Sequence, residues 1–286
     1  MKVALAGAFG NLGLDILKKL ISEGHQVVAL DLKEKDVPEI KGKYEFHAID
    51  LTNPSTIEGL LNDCEICITT VGLVTKSTKF TAYDVDFQGN LNLLNEAKKA
   101  GVKCFNYVSV IYCDSDPNVP LLDAKHKFEI ELKKSGLKYN IFRPTGYFYD
   151  IAHVFMPMIE KGKVTLLGHK KHPVNVIDTK DLGEFIVLHM KDINKTYSIG
   201  GKEIYTYDEI AKMFFEAAGK KPKIARAPVF LFDLIAKKAD KAEVQDGTAG
   251  LIRFSKWTMT HDLVGETKYG NSSFKEYIKS RYKEEK

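Results

Sequence analysis

Lys125 is the residue of this sequence whose position points most directly to chemistry. On a helix it shares one face with Phe128 and Leu132, because the three are spaced i, i+3, i+7. A lysine turned toward an apolar pocket loses its proton more easily than one in water, so it can exchange protons near neutral pH. Leu121, one turn earlier, has no proton to exchange. A plainer alternative is a surface ion pair between Lys125 and Glu129 at i+4.

The segment GAFGNLG, residues 7–13, has the pattern of a phosphate-binding turn between a strand and a helix. Its glycines permit a tight turn and a close approach of backbone to a pyrophosphate, and free N–H groups at a helix start attract phosphate. Asp31 follows at the end of the second predicted strand, where a carboxylate can accept hydrogen bonds from both adenosine ribose hydroxyls and repels a 2′-phosphate. These features predict a dinucleotide site that prefers NAD. The lysines at 33 and 35 leave NADP possible.

Strands and helices alternate through the first 145 residues, which predicts a parallel sheet joined by right-handed crossovers. Further on, Thr206 and Glu209 have the spacing of a capping box that begins a helix. We therefore predict an α/β fold, a doubly wound parallel (Rossmann) sheet whose ligand lies at the carboxyl ends of the strands. Residues 1–145 would form the dinucleotide-binding domain, and residues 146–286 would complete the sheet and add a small α+β substrate cap. Strands are predicted at 3–7, 26–31, 44–50, 65–71, 102–110 and 137–144.

The composition is that of an ordinary globular protein, with 286 residues, 44% hydrophobic, 28% charged and a net charge of +4. The basic residues are scattered, so we expect no nucleic-acid partner. Cys64 and Cys67 lie on a predicted strand that would turn them to opposite faces, which suits neither a metal site nor a redox pair. We expect the four cysteines to be buried thiols in a reduced cytoplasmic protein. We find no signal peptide and no segment long enough to span a membrane, and His169 and His172 alone are too few for a metal site. We therefore expect neither a membrane partner nor a metal.

Several motifs, taken in their order and spacing, resemble the short-chain dehydrogenase/reductase superfamily, in its extended and atypical branches. The middle of the chain is most similar to NmrA-like and isoflavone-reductase-like members, including divinyl chlorophyllide reductases. The resemblance covers nearly the whole chain and implies an NAD(P)-binding protein with a small-molecule substrate, as a monomer or homodimer. The motifs that carry it are GAFGNLG, Asp31, AID (48–50), YVSV (107–110), and the stretches 85–103, 124–148, 176–187 and 269–278.

The resemblance also implies cofactor roles for the residues at matching positions. The pyrophosphate would lie on the glycine loop, the adenosine ribose on the carboxylate after the second strand, and the nicotinamide ribose on the lysine. Other residues would contact the adenine, pass beneath the ribose, or lie beside the carboxamide. The implied cofactor-binding residues are Gly7, Phe9, Gly10, Asn11, Gly13, Asp31, Asp50, Leu51, Thr70, Val71, Gly72, Lys125, Pro144 and Thr145.

Leu121 departs from the family pattern, in which a tyrosine four residues before the lysine acts as the proton donor. Ser109 stands where the family keeps its serine, so two parts of a three-part site remain. The missing proton donor could be Lys125 itself, as the resemblance to isoflavone-reductase-like proteins implies. It could instead be a hydroxyl from Tyr112 or Tyr147 near the pocket mouth.

The main hypothesis is an NAD(P)-dependent oxidoreductase that transfers hydride to or from a small organic substrate. Its catalytic candidates are Lys125, Ser109 and Tyr112. A second hypothesis is a catalytically silent NAD(P)-binding sensor or scaffold in which Lys125 only holds ribose. A third is a nucleotide-sugar epimerase with tightly held NAD, although that chemistry too would normally need the tyrosine. Arg143 is predicted to be a structural anchor at a strand end in preference to a substrate contact.

Overall fold

The computed structural model describes residues 1–73, 77–242 and 247–284. Within these ranges the strands are β1 (Lys2–Ala6), β2 (Gln26–Asp31), β3 (Glu45–Ala48), β4 (Ile66–Thr69), β5 (Cys104–Val108), β6 (Lys138–Pro144), β7 (Val164–Leu167), β8 (Pro173–Val174), β9 (Lys195–Gly200), β10 (Tyr205–Thr206), β11 (Ile224–Ala227) and β12 (Thr267–Lys268). The α-helices are α1 (Asn11–Ser22), α2 (Asn90–Lys99), α3 (Pro120–Lys134), α4 (Phe148–Glu160), α5 (Thr179–His189), α6 (Tyr207–Ala217), α7 (Phe230–Asp240), α8 (Thr248–Thr260) and α9 (Phe274–Glu284). A π-helix, Tyr83–Gly89, leads directly into α2.

The described strands form one eight-stranded sheet in the order β12-β9-β6-β5-β4-β1-β2-β3 and two separate two-stranded sheets, β10-β8 and β11-β7. The neighbouring strands from β6 to β3 pair in parallel. The chain runs outward from β1 to β3 and then returns to β4 on the other side of β1. This arrangement confirms the predicted doubly wound Rossmann fold, and its switch point lies between β1 and β4, where such folds bind ligands.

Two compact units make up the chain: the first is Met1–Arg143 with Leu182–Tyr197, and the second is Pro144–Asp181 with Ser198–Lys286. The first unit is built on a core of buried aliphatic residues from β1, β2, β4 and β5 and from the helices that cover them. The second unit is organised by aromatic rings, and its centre is Phe274, 4.7 Å from Phe148 and 6.2 Å from Phe214 between ring centroids.

Most predicted elements are present, and the capping box is confirmed: Thr206 and Glu209 each bond the other's backbone at the start of α6. Five elements were not predicted: β9, β10, α8, β12 and α9. The strand β9 (KTYSIG) has no apolar run, and α8 is rich in Thr and Ser, so neither has a strong periodic signal. All four cysteines are buried free thiols, as expected.

Glu129 and Arg143 join α3 to the end of β6 inside the first unit. The fully buried Glu129 carboxylate accepts hydrogen bonds from Arg143 Nε at 2.9 Å and Nη2 at 2.6 Å. Burial alone would raise the pKa of Glu129, but the hydrogen bonds and the charge of Arg143 lower this pKa below its usual 4.5. The pair confirms the predicted anchor role of Arg143 and fixes the helix that carries Lys125.

The start of α1 packs so closely on the loop after β1 that Gly13 has no room for a side chain. A Cβ at Gly13 would lie 1.8 Å from the carbonyl oxygen of Gly7. Gly10, by contrast, has φ −66° and is exposed, and a Cβ there would lie 3.3 Å from the same oxygen. The two glycines therefore face different steric constraints.

We expect Gly13→Ala to lower the free energy of unfolding by about 3 kcal/mol, because the helix must move away from the loop. Gly10→Ala, the matched control, should change it by less than about 1 kcal/mol. Urea unfolding of both variants measures the difference. Equal unfolding midpoints for the two would show that the helix does not press on the loop.

We expect Glu129→Gln to cost about 3–5 kcal/mol at pH 7, because Arg143 is left without its buried partner. Since the folded-state pKa of Glu129 is depressed, its contribution is present above pH 4.5 and is lost as the pH falls below that value. The difference in the free energy of unfolding between wild type and Glu129→Gln should therefore become smaller below pH 4.5. Urea midpoints between pH 7 and pH 3 test this, with the exposed Glu131→Gln on the same helix as the control. A stability difference that stays constant across this pH range would contradict the depressed pKa of Glu129.

Candidate functional site

The glycine loop is tied to the end of β4 through Thr70. Gly7 has φ 78°, a conformation that glycine adopts readily, and its N–H donates to the carbonyl of Leu30 at 2.8 Å. Thr70 Oγ1 donates to the carbonyl of Gly7 at 3.2 Å, and a Cβ at Gly7 would lie 2.5 Å from that hydroxyl. The two strands at the switch point therefore end in one connected turn.

The N-terminus of α1 has no side-chain cap and no acidic residue in its first turn. Gly10 is the residue before the helix, and Asn11 is its exposed first residue. The first N–H groups of a helix have no partner within the helix and carry a partial positive charge. The loop and helix start therefore offer an anion such as a pyrophosphate several backbone donors at the carboxyl end of β1.

Asp31 ends β2, and its carboxylate already holds the glycine loop in place without a bound ligand. Its Oδ2 accepts a hydrogen bond from the N–H of Phe9 at 2.8 Å, and its Oδ1 accepts one from Leu32 at 2.7 Å. Phe9 is buried, with ring centroids 5.7 Å from Tyr44 and from Phe46, so only its backbone faces the loop. Each carboxylate oxygen keeps a further lone pair that two ribose hydroxyls could use.

Asp50 and Leu51 follow β3 at the same edge of the sheet. Oδ1 of Asp50 accepts from the backbone and hydroxyl of Thr52 at 2.9 and 2.7 Å, and the Leu51 carbonyl accepts from Asn92 at 2.8 Å. An open hollow of about 290 Å³ lies here, large enough for a purine base. It is lined by Thr52, Lys79, Phe80, Asp84 and Gln88.

Asn90 holds the chain in place as it leaves β4. Its Oδ1 accepts from the hydroxyl of Thr69 at 2.8 Å, and its Nδ2 donates to the carbonyl of Val71 at 3.2 Å. Asn90 is fully buried at the start of α2, so these bonds are shielded from water. The predicted residues Thr70, Val71 and Gly72 are thereby set in one fixed turn at the switch point.

Lys125 is buried beside this turn and forms an ion pair with Asp86. Its Nζ lies 3.0 Å from Asp86 Oδ1, with 9% of the lysine side chain and none of the aspartate side chain exposed. The Nζ also approaches the carbonyl of Val108, the last residue of β5, at 3.4 Å. A Cβ at Gly72 would lie 2.6 Å from Asp86 Oδ1 and 3.2 Å from the ammonium. The ammonium therefore lies at the carboxyl ends of β4 and β5.

The Asp86 carboxylate is only partly satisfied by hydrogen bonds. Oδ2 accepts from the N–H of Leu73 at 2.9 Å, but Oδ1 has no hydrogen-bond donor of good geometry within the described ranges. The ammonium is close enough for a strong charge interaction but not aligned as a donor to Oδ1. The ammonium also donates a hydrogen bond to the β5 carbonyl.

The surface pair between Lys125 and Glu129, our plainer alternative, is wrong. Glu129 is fully buried and bonds Arg143, while Lys125 turns inward to Asp86. The charge of the lysine needs a buried counter-ion, and the π-helix supplies it.

Ser109 follows β5 and is buried on the side of Glu129. Its N–H donates to the carbonyl of Phe142 at 2.7 Å, and its hydroxyl lies beside the Glu129 carboxylate and the Cys113 thiol. Cys113 Sγ donates to Glu129 at 3.2 Å, and burial followed by the Glu129 charge raises the pKa of this thiol to about 12. The Ser109 hydroxyl is buried next to this network but makes no hydrogen bond of good geometry within the described ranges.

The other hydroxyl candidates are placed differently from one another. Tyr112 is 43% exposed and has φ 51°, a left-handed conformation that is uncommon for an aromatic residue. Tyr107, which we did not predict, is fully buried, with its ring 5.3 Å from Lys125 Nζ. Leu121 is buried one turn before the lysine and brings no polar group.

The remaining predicted residues lie in the second unit. Pro144 ends β6, and Thr145 Oγ1 donates to the carbonyl of Asn175 at 2.7 Å. Tyr147 precedes α4 and stacks on Tyr149 with ring centroids 5.4 Å apart.

Sequence reasoning missed Asp86 and Asn90, although both lie in the stretch VDFQGNLNLL. A signal was present: an inward lysine needs a buried carboxylate, and Asp86 stands between two apolar residues. The α-helical spacing of the apolar residues did not identify Asp86 as buried, because a π-helix shifts which positions face inward.

Two classes of site are not found within the described ranges. Among those residues there is no group of three or more His, Cys, Asp or Glu side chains that could hold a metal ion. No described helix is long and apolar enough to cross a membrane.

Comparison with known proteins places the chain in a family. The model of the NmrA-like family matches residues 1–246. The photosystem II assembly factor Ycf39 of Trieres chinensis is 26% identical over 249 residues, which are 83% of this chain and 75% of that protein. The chloroplastic divinyl chlorophyllide a 8-vinyl-reductase of Cucumis sativus is 27% identical over 255 residues, which are 81% of this chain and 60% of that one.

Among solved structures, the NADPH-dependent quinone oxidoreductase QOR2 of Escherichia coli, complexed with NADPH, superposes with a TM-score of 0.77. The match covers 98% of this chain and 99% of that chain at 18% identity, so it establishes a shared fold. The switch-point site, the parallel sheet and the family match agree with one another. The chain belongs to the NmrA-like family.

Proposed function

We propose that this protein is an NAD(P)-dependent oxidoreductase that moves hydride to or from a small organic substrate. The observation that carries the proposal is the buried Lys125 ammonium at the carboxyl ends of β4 and β5. Burying a cation costs desolvation free energy, and this cation lies at the crevice where doubly wound sheets bind ligands. Binding a polar ligand would explain why the cation is kept there. The NADPH complex of the similarly folded quinone oxidoreductase supports this choice of cofactor.

Several residues of the first unit have the chemistry to bind a dinucleotide. The uncapped start of α1 and the loop at Gly7 would bind the pyrophosphate through backbone N–H groups. Asp31 would accept hydrogen bonds from the adenosine ribose, and the hollow beside Thr52 would take the adenine, with Phe80 as an aromatic wall. The bound nicotinamide would supply or accept the hydride. The carboxylate at the end of β2 favours NAD over NADP.

Lys125 would hold a ribose hydroxyl and carry the proton that accompanies reduction. Asp86 keeps the ammonium at the strand ends, and because an ammonium has three protons, one remains available for a ligand oxygen. Ser109 keeps a buried hydroxyl without a hydrogen-bond partner among the described residues, while Tyr112, with its exposed ring, could deliver a hydroxyl to a substrate. The free buried thiols suit a reducing compartment such as the cytoplasm.

A second candidate function is cofactor binding without turnover, as in a sensor or scaffold. Leu121 favours it, because this buried apolar side chain occupies the position one turn before Lys125 and offers no acid. The relative named as a photosystem II assembly factor is compatible with such a role. Binding of the dinucleotide with no turnover of carbonyl or enone substrates would support this alternative.

We expect Asp31→Ser to weaken NADH binding about tenfold, because two hydrogen bonds to a charged acceptor are lost. NADPH binding should weaken less or improve, since the repulsion of a 2′-phosphate disappears. Titration calorimetry with both coenzymes gives the ratio. Asp36→Ser, on the exposed loop after β2, is the control and should leave both affinities unchanged. A preference for NADH that survives Asp31→Ser would show that this carboxylate does not select the coenzyme.

We expect Lys125→Met to destabilise the fold by about 3–5 kcal/mol, because Asp86 is left buried without its counter-ion. The double variant Lys125→Met/Asp86→Leu should recover much of that stability but not coenzyme binding, which should stay at least tenfold weaker. Urea unfolding and coenzyme fluorescence separate the two effects. Lys127→Met, an exposed change on the same helix, is the control.

The same measurements decide the proposed function. Wild-type protein that changes the fluorescence of neither NADH nor NADPH would overturn it. A stable double variant that binds coenzyme as tightly as wild type would remove Lys125 from the site.

A further inference from the structure

Helix α7 in the second unit presents apolar side chains to solvent. Four of the large exposed hydrophobic residues in the described chain lie within six positions of this one helix. Phe230 is 60% exposed and Leu234 is 56% exposed, and both stand on the side opposite the buried Ala236. Monomeric proteins rarely leave such a contiguous patch uncovered. The exposed residues are Phe230, Leu231, Leu234 and Ile235.

The acidic residues of α7 are turned away from this apolar face and neutralised. Asp233 pairs with Lys256 of α8 at 2.7 Å, and Asp240 pairs with Arg253 of α8. These pairs lie on the side of the helix that packs against α8. The outer face therefore carries no negative charge from its own helix.

Lysines continue the apolar face through the last turn of the helix. Lys238 lies one turn beyond Leu234 on the same side, and Lys237 and Lys241 flank it. In the part of the chain that the structure describes, no carboxylate lies within ion-pair distance of these three ammonium groups. The face is apolar in its first half and positively charged in its second.

We propose that this face of α7 docks the protein on an anionic membrane surface. An amphipathic helix can lie in the headgroup region with its apolar side chains inserted, while lysines at its edge contact acidic lipids. The four apolar side chains of α7 project outward from the helix, as insertion between lipids requires. The proposal departs from our expectation of no membrane partner, which rested on the lack of a spanning segment, and a surface contact needs no span.

A second copy of the chain fits this face less well. Symmetric pairing would bring the same surface from each copy together, so lysines would meet apolar groups or other lysines. Among the residues that the structure describes, no carboxylate on this face could balance them. An anionic lipid surface provides both the apolar layer and the opposite charge.

The test is co-sedimentation with vesicles of phosphatidylglycerol and phosphatidylcholine, compared with vesicles of phosphatidylcholine alone. We expect binding to the anionic vesicles that weakens as salt is raised, because the lysine contacts are screened. Leu234→Glu should reduce binding at least tenfold. Lys238→Glu should reduce it about fivefold or more. Leu188→Glu, at a residue 65% exposed on α5, is the control and should bind as wild type does.

A second readout reports insertion directly. Because the four native cysteines are buried, Leu234→Cys can be labelled with an environment-sensitive dye on its own. A blue shift with anionic vesicles is expected for this variant and not for a labelled Leu188→Cys. The proposal is overturned if wild type does not bind anionic vesicles at low salt, or if Leu234→Glu binds as wild type does. A concentration-dependent dimer in solution that Leu234→Glu abolishes would also overturn it, in favour of a self-interface. None of these outcomes depends on coenzyme binding.

Discussion

The buried ion pair between Lys125 and Asp86 is the constraint around which the first unit is arranged. Removing a charge from water costs several kcal/mol, and only a close opposite charge with supporting hydrogen bonds offsets that cost. The support comes from Leu73, whose N–H bonds Asp86, and from Gly72, which leaves room for both charged groups. Asn90 then fixes the same turn from the other side. One lysine thus dictates residue types over a stretch of chain that begins at the end of β4.

The glycine loop obeys a second, independent constraint. Gly7 and Gly13 are required by the protein itself, since side chains there would collide with Thr70 and with the loop carbonyl. Gly10 has space and an ordinary backbone conformation, so packing does not explain it. Asp31 likewise has a structural role, because it accepts a hydrogen bond from the Phe9 N–H in addition to any bond with a ligand. The geometry of the loop is therefore held before a ligand arrives, which reduces the ordering cost of binding.

Much of this arrangement could be predicted from the sequence, because the relevant signals are local. The apolar run of β1, the glycine spacing and the acidic end of β2 each depend on neighbouring residues. The inward position of Lys125 followed from helical spacing, but its partner did not, since Asp86 is 39 positions away and lies on a π-helix. The placement of Ser109 beside Glu129 depends on packing between α3, β5 and β6, which periodicity does not encode. The exposed face of α7 was also unpredictable, because FLFDLIAKKAD has the same pattern whether its apolar side is covered or not.

The π-helix Tyr83–Gly89 makes the lysine's partner depend on helical winding as well as residue type. Its i to i+5 hydrogen bonds close a ring that contains one residue more than the ring of an α-helix. If the same residues were wound as a regular α-helix, positions before α2 would shift in register, and Asp86 would turn away from the lysine. The helix would survive, but the charge pair would not. Substitutions that favour α-helical over π-helical winding in this segment are therefore a route by which evolution could silence or reshape the crevice while leaving the scaffold intact.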